Sequence, residues 1–111
     1  MKEEGIMTTY VTTAFSLNMV RNNADLEVRQ IPYLDHPKLL GEPDVQFSIG
    51  HHSTARILGL PYNRSTVHAN PGDVIYVAQY QGPRLQEGAV NLPEGAKIQW
   101  YKVTIKEADR Q

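Results

Sequence analysis

The chain has 111 residues, with eleven Lys and Arg against twelve Asp and Glu for a net charge of −1. That length supports one domain rather than two and can bury a core without a metal or disulfide staple. The balanced charge argues against a protein that coats DNA or RNA, yet it leaves room for a small anion in a local positive pocket, and the absence of cysteine removes disulfides, thiol nucleophiles, Cys-based zinc sites and iron–sulfur clusters.

The opening residues Met1 to Gly5 are polar and acidic and do not read as the start of a signal peptide. No apolar run approaches the ~18 residues of a membrane helix. These features lead us to expect a soluble cytoplasmic protein without a membrane partner. Thr8 to Phe15 is rich in Thr, Tyr and Val and predicts a strand. A helical turn is expected at Met19 to Asn22. Leu26 to Ile31 alternates apolar and charged residues, the pattern of a half-buried strand. Three prolines and a glycine between Pro32 and Asp44 predict a loop, with room for a short helix at His36 to Leu40. Ser48 to Leu60 predicts a short helix with Ser48 as N-cap and with Gly59 and Pro61 ending it. Asn70-Pro71-Gly72-Asp73 is a turn. Val74 to Tyr80 follows as a nearly continuous apolar run, which suits a central strand covered on both faces. Lys97 to Lys106 predicts the last strand. The expected architecture is a single α/β (α+β) domain over residues 1–111, with a mixed sheet of about five strands flanked by short helices. Residues 1–7 and 107–111 are expected to fray.

Three segments carry candidate chemistry. Ser48-Ile49-Gly50-His51-His52-Ser53-Thr54 places a glycine, two imidazoles and hydroxyls where a helix is expected to begin. Amides in such a place favour phosphate, and an imidazole there could protonate the leaving oxygen of a phosphate ester. The same pattern also serves a plain capped helix with surface histidines. Adjacent histidines on a helix diverge by about 100°, which disfavours a shared metal ion. The second segment, Arg84 to Gly88, offers a guanidinium fork for phosphate oxygens and Glu87 as an orienting group or base. A surface ion pair is the plainer reading of that Arg and Glu. The third is the exit of the first strand, where Ser16 and Asn18 could meet a ligand or simply form a turn. Tyr76, Tyr80 and Trp100 suit base stacking or, more commonly, core packing. His36 and His68 receive no role. No Walker loop, dinucleotide fingerprint, zinc-protease motif or Gly-x-Ser-x-Gly elbow occurs.

Taken in order, Ala14-Phe15-Ser16-Leu17-Asn18-Met19, the Ser-Ile-Gly-His-x-Ser-Thr stretch at 48–54 and Arg84-Leu85-Gln86-Glu87-Gly88 resemble the type III anti-CRISPR ring nuclease family. The resemblance spans about Thr9 to Ile105. It implies a homodimer, from a virus or from a mobile element or bacterial defence locus, that binds cyclic tetra-adenylate across its axis and so switches off or tunes type III CRISPR signalling. It further implies cleavage, without metal or cofactor, into linear di-adenylate with a 2′,3′-cyclic phosphate. On this resemblance the catalytic residues are His51, Arg84 and Glu87. Ser16, Asn18, Gly50, Ser53 and Thr54 hold phosphate or ribose. DNA is not an expected partner. The same pocket would also serve a protein that holds a cyclic nucleotide without turning it over, and a structural or regulatory viral protein is the third reading.

Overall fold

The computed structural model describes residues 8–20, 23–32, 42–64, 66–86 and 88–107. Five strands form one mixed sheet: β1 (Thr9–Thr12), β2 (Ala24–Ile31), β3 (Val45–Ser48), β4 (Val74–Gln81) and β5 (Lys97–Glu107), in the spatial order β2-β5-β4-β1-β3. One α-helix, α1 (His52–Leu58), and a 3₁₀ turn at Leu17–Met19 complete the regular structure. β1 pairs in parallel with both β3 and β4, whereas β5 is antiparallel to β4 and to β2. The C-terminal ends of β1, β3 and β4 therefore emerge at one edge of the sheet.

The expectation of a central position for the Val74–Tyr80 run is met, because β4 is the middle strand. Its alternate residues feed two separate cores. Ala78, with Tyr76 beside it, packs with Val11, Ile49 and Trp100 beneath Ala55 and Leu58 of α1. Ile75 and Val77 face the other way, onto Tyr10, Val103, Ile105 and the extended segment at Val67 and Ala69. A helix thus covers one face and an irregular strap covers the other. The strap is tied in by a bridge between Val20 and Ala69, with the Ala69 amide donating to the Met19 carbonyl. The start of the parallel pair is held by Asp73, which is 7% exposed. Its carboxylate accepts the amides of Thr8 at 3.0 Å and Asn70 at 2.8 Å, so the predicted turn also anchors β1 to β4.

Several boundaries differ from expectation. Ser48 does not cap the helix; it ends β3, an edge strand whose Val45 and Phe47 turn inward while Gln46 stays exposed. α1 starts only at His52, with His51 extended (φ −131°) as its N-cap. The predicted stop at Gly59 is correct: its φ of 72° suits a residue without a Cβ, and its amide bonds back to Ala55 and Arg56. β1 is four residues long rather than the eight of Thr8 to Phe15, because the chain leaves the sheet after Thr12 to form the 3₁₀ turn, two residues earlier than the turn expected at 19–22. Glu107, expected to fray, is the last residue of β5 and lies opposite Ala24. The helix considered at 36–40 and the fraying of 1–7 and 108–111 fall outside the described residues.

Two outcomes test this packing. Ile75 is fully buried between strands, so Ile75→Ala should cost about 2–5 kcal/mol in urea unfolding. On the surface of the β2–β5 pair, Glu27 bonds Arg29 at 3.0 Å and Lys106 at 3.2 Å. The hydrogen bond from Arg29, followed by that from Lys106 and their positive charges, holds the Glu27 carboxyl below its ordinary value of 4.5. A lowered folded value means that this stabilisation is present above pH 4.5 and is lost as the pH falls through the folded value. Thermal unfolding of Glu27→Gln should accordingly show a smaller drop in Tm on acidification than the parent protein.

Candidate functional site

The edge where β1, β3 and β4 end is where open sheets with parallel strands present their loops to ligands. Two of these loops meet there. The segment after β3 contributes Gly50, His51, His52, Ser53 and, from α1, Arg56; the loop after β4 contributes Arg84, Leu85 and Gly88. Together they line a cleft of about 370 Å³. Two guanidinium groups and two imidazoles border it, and no carboxylate does so among the described residues. The charged groups among the described lining residues are cations. Arg84 also borders a second cavity of about 500 Å³, with Pro83, Ala89 and Pro93.

His51 is exposed, but its ring is held from behind. Nδ1 accepts the Thr54 backbone N–H at 3.4 Å and lies 3.2 Å from the Thr54 hydroxyl. A nitrogen that accepts carries no proton, so the bond roles assign the neutral ring's proton to Nε2, the outer nitrogen. Thr54 offers the same nitrogen both a donor and a hydroxyl acceptor. It can therefore partner Nδ1 with or without a proton, while Nε2 stays available to the cleft. His52, the neighbouring imidazole, is stacked on Tyr62 with ring centroids 3.5 Å apart and an angle of 15°. The two histidines therefore do different work, and only His51 has a cap role. Among the described residues no group of three or more His, Asp or Glu side chains gathers as a metal site.

The other candidates are distributed as follows. Gly50 lines the cleft. Ser53 and Thr54 are buried, at 4% and 8% exposure. Thr54 faces His51, and the Ser53 hydroxyl is bonded to the Arg84 loop. Ser16 caps the 3₁₀ turn by accepting the Asn18 amide at 3.1 Å. It and Asn18 are exposed beyond the end of β1, but neither is part of the cleft lining. Glu87 lies outside the described residues. Trp100 is a core residue and Tyr76 packs against the same core; Tyr80 uses its hydroxyl to hold the Pro83 carbonyl. Arg56 is the residue that sequence reading missed. Its signal was present, because positions 52 and 56 fall four apart on one helical face, but only the tertiary contact with the Arg84 loop makes that face a wall of a cleft.

Such an assembly is a small α+β protein, a mixed sheet with a cleft where its parallel strands end, bordered among the described residues by two guanidinium groups and two imidazoles. The chain belongs to the STIV B116-like family, whose model matches residues 9–102. Among solved structures it is similar to B116 of Sulfolobus turreted icosahedral virus, with a TM-score of 0.74 and 26% identity over 87% of this chain and 98% of that one. A search of curated proteins found no match. No helix among the described residues is long and apolar enough to cross a membrane.

The cap geometry separates the two duties of His51. Asparagine is a strong N-cap, and alanine is a poor one. His51→Asn should keep the stability of the parent, whereas His51→Ala should lose about 0.5–2 kcal/mol in chemical unfolding. Unchanged stability in His51→Ala would show that the ring contributes nothing to the helix start.

Proposed function

We propose that this protein is a ring nuclease that binds cyclic tetra-adenylate between two protomers and cuts it into linear di-adenylate carrying a 2′,3′-cyclic phosphate. The observation that carries the reading is the convergence of His51 and Arg84, remote in sequence, on one cleft with Arg56. The resemblance of the three sequence segments to type III anti-CRISPR ring nucleases supplies the substrate. Family membership with a viral protein supports a viral setting, and switching off type III CRISPR signalling in the host cytoplasm is the role that follows.

The chemistry asks little of the protein. A ribose 2′-oxygen attacks its own neighbouring phosphorus, the P–O2′ bond forms and the P–O5′ bond breaks. The 5′-oxygen takes a proton from Nε2 of the doubly protonated His51 ring, which is left neutral with its remaining proton on Nδ1 bonded to the Thr54 hydroxyl, and the proton of the 2′-OH is lost to a base or to water. An attack held in line gains from proximity alone and uses neither external water nor a metal ion. Arg84 would neutralise charge as it builds on the phosphate oxygens, with Arg56 as a second cation. Glu87 would position the 2′-OH or the imidazole. Gly50 would let the backbone approach the ring, and Ser16 and Asn18, exposed at the same edge, would hold ribose or phosphate. A ring of four equal nucleotides has a two-fold axis, as does a homodimer, so two copies of His51 would face opposite phosphates and yield two identical products.

The test is incubation with cyclic tetra-adenylate in EDTA followed by chromatography. The parent protein should release di-adenylate. His51→Asn, which preserves the cap, should lose about 10²–10⁴-fold in rate. Arg84→Lys should lose at least about 10-fold, since a point charge lacks the planar fork. Binding to the His51→Asn variant should weaken as salt rises. Tight binding with the ligand unchanged in the parent protein would identify a sponge instead, and no binding would remove the assignment altogether.

A further inference from the structure

Ser53 is expected from the sequence to touch ligand, but its hydroxyl is engaged elsewhere. The residue is 4% exposed. Its Oγ donates to the Gln86 carbonyl at 3.3 Å and accepts the Gly88 amide at 3.2 Å. Its single proton and one of its lone pairs are thus both committed to the loop that carries Arg84. Gly88 is suited to this bond. Its φ of 86° lies in the left-handed region, where glycine alone sits without strain. At the other end of the loop the Tyr80 hydroxyl donates to the Pro83 carbonyl. Arg84 therefore sits between two pins on a stretch that belongs to neither a strand nor a helix. Without them such a loop would have few contacts to order it.

We propose that Ser53 is a positioning residue: its buried hydroxyl latches the loop after β4 to α1 and so sets the Arg84 guanidinium against the cleft that His51 lines. The idea deepens the ring-nuclease reading and depends on it for the ligand, though the latch itself does not. The physical reasoning concerns order. A guanidinium recognises a phosphate through a planar fork, which works only when its orientation is set. Ordering the loop before the ligand arrives removes that cost from binding. Ser53 is well placed as the anchor, because it stands between His51, the cap of α1, and Thr54, which holds the His51 ring. One helical turn thereby references the loop and the imidazole to each other.

Two measurements decide the matter. Amide hydrogen exchange at Gly88 should be about 10-fold faster in Ser53→Ala than in the parent, as expected for the loss of one hydrogen bond, while the amides of Leu58 and Gly59 at the far end of α1 stay as they were. Binding of cyclic tetra-adenylate should then be measured in the His51→Asn background with Ser53→Ala, Arg84→Ala and both. Ser53→Ala should weaken binding by about 10-fold when Arg84 is present and have almost no further effect when it is absent, the signature of two residues acting as one unit. A purely structural role would weaken both equally, and that result would overturn the proposal, as would unchanged exchange at Gly88. If none of the variants binds the cyclic ligand, the ring-nuclease reading falls, and the Gly88 exchange alone then decides whether Ser53 orders the loop.

Discussion

Everything at the site depends on a four-residue strand that is bonded in parallel on both sides. β1 contributes only Thr9 to Thr12, yet it is the ruler against which β3 and β4 are set. Parallel pairing brings equivalent ends together, so the exits of all three strands share an edge whatever their loops contain. Parallel strands also need covered faces. α1 meets that need on one side and the Val67–Ala69 strap on the other. Asp73 reinforces the arrangement from the opposite end by accepting amides from just before β1 and from the turn before β4. A carboxylate bonded in this way contributes more than a neutral acceptor would.

His51 and Arg84 sit outside regular structure, and side-chain hydrogen bonds do the work there that ladders do within the sheet. His51 is held by Thr54, and the loop bearing Arg84 is held by Ser53 and Tyr80. Such bonds are individually modest in net energy. They matter because they are directional and because buried hydroxyls that lose their partners are costly. The outcome is an exposed imidazole and an exposed guanidinium whose supports are interior. Both groups stay exposed while their supports lie beneath them.

The split between what was readable and what was not follows the range of the interactions. The strong strands were legible because β4 and β5 are long enough for composition and periodicity to average over many residues, and the Asn70–Asp73 turn was legible because Pro and Gly act locally. β3 was not. Its alternation of Val45 and Phe47 with Gln46 and Ser48 covers four residues, too few to outweigh the helix pattern that follows, and its strand state comes from pairing with β1. The same short range misled the placement of the helix cap, since Ser48 has the better capping chemistry but is already committed to the sheet.

For the site, residue types marked the 48–54 and 84–88 runs as places for phosphate chemistry or for a plain capped helix and a surface ion pair, and the resemblance singled out His51 and Arg84. The Ser53 and Thr54 hydroxyls, expected to hold ligand, are bonded to the loop after β4 and to the His51 ring, and Ser53 also borders the cleft. Arg56 entered only when the loop after β4 came to lie beside α1. Local composition therefore determined the fold class and the central strand, and it marked the candidate groups. Tertiary structure alone decided that His51 and Arg84 share a cleft and that the Ser53 hydroxyl holds the loop after β4, because those facts depend on contacts between chain segments more than thirty positions apart, and no local preference encodes such a distance.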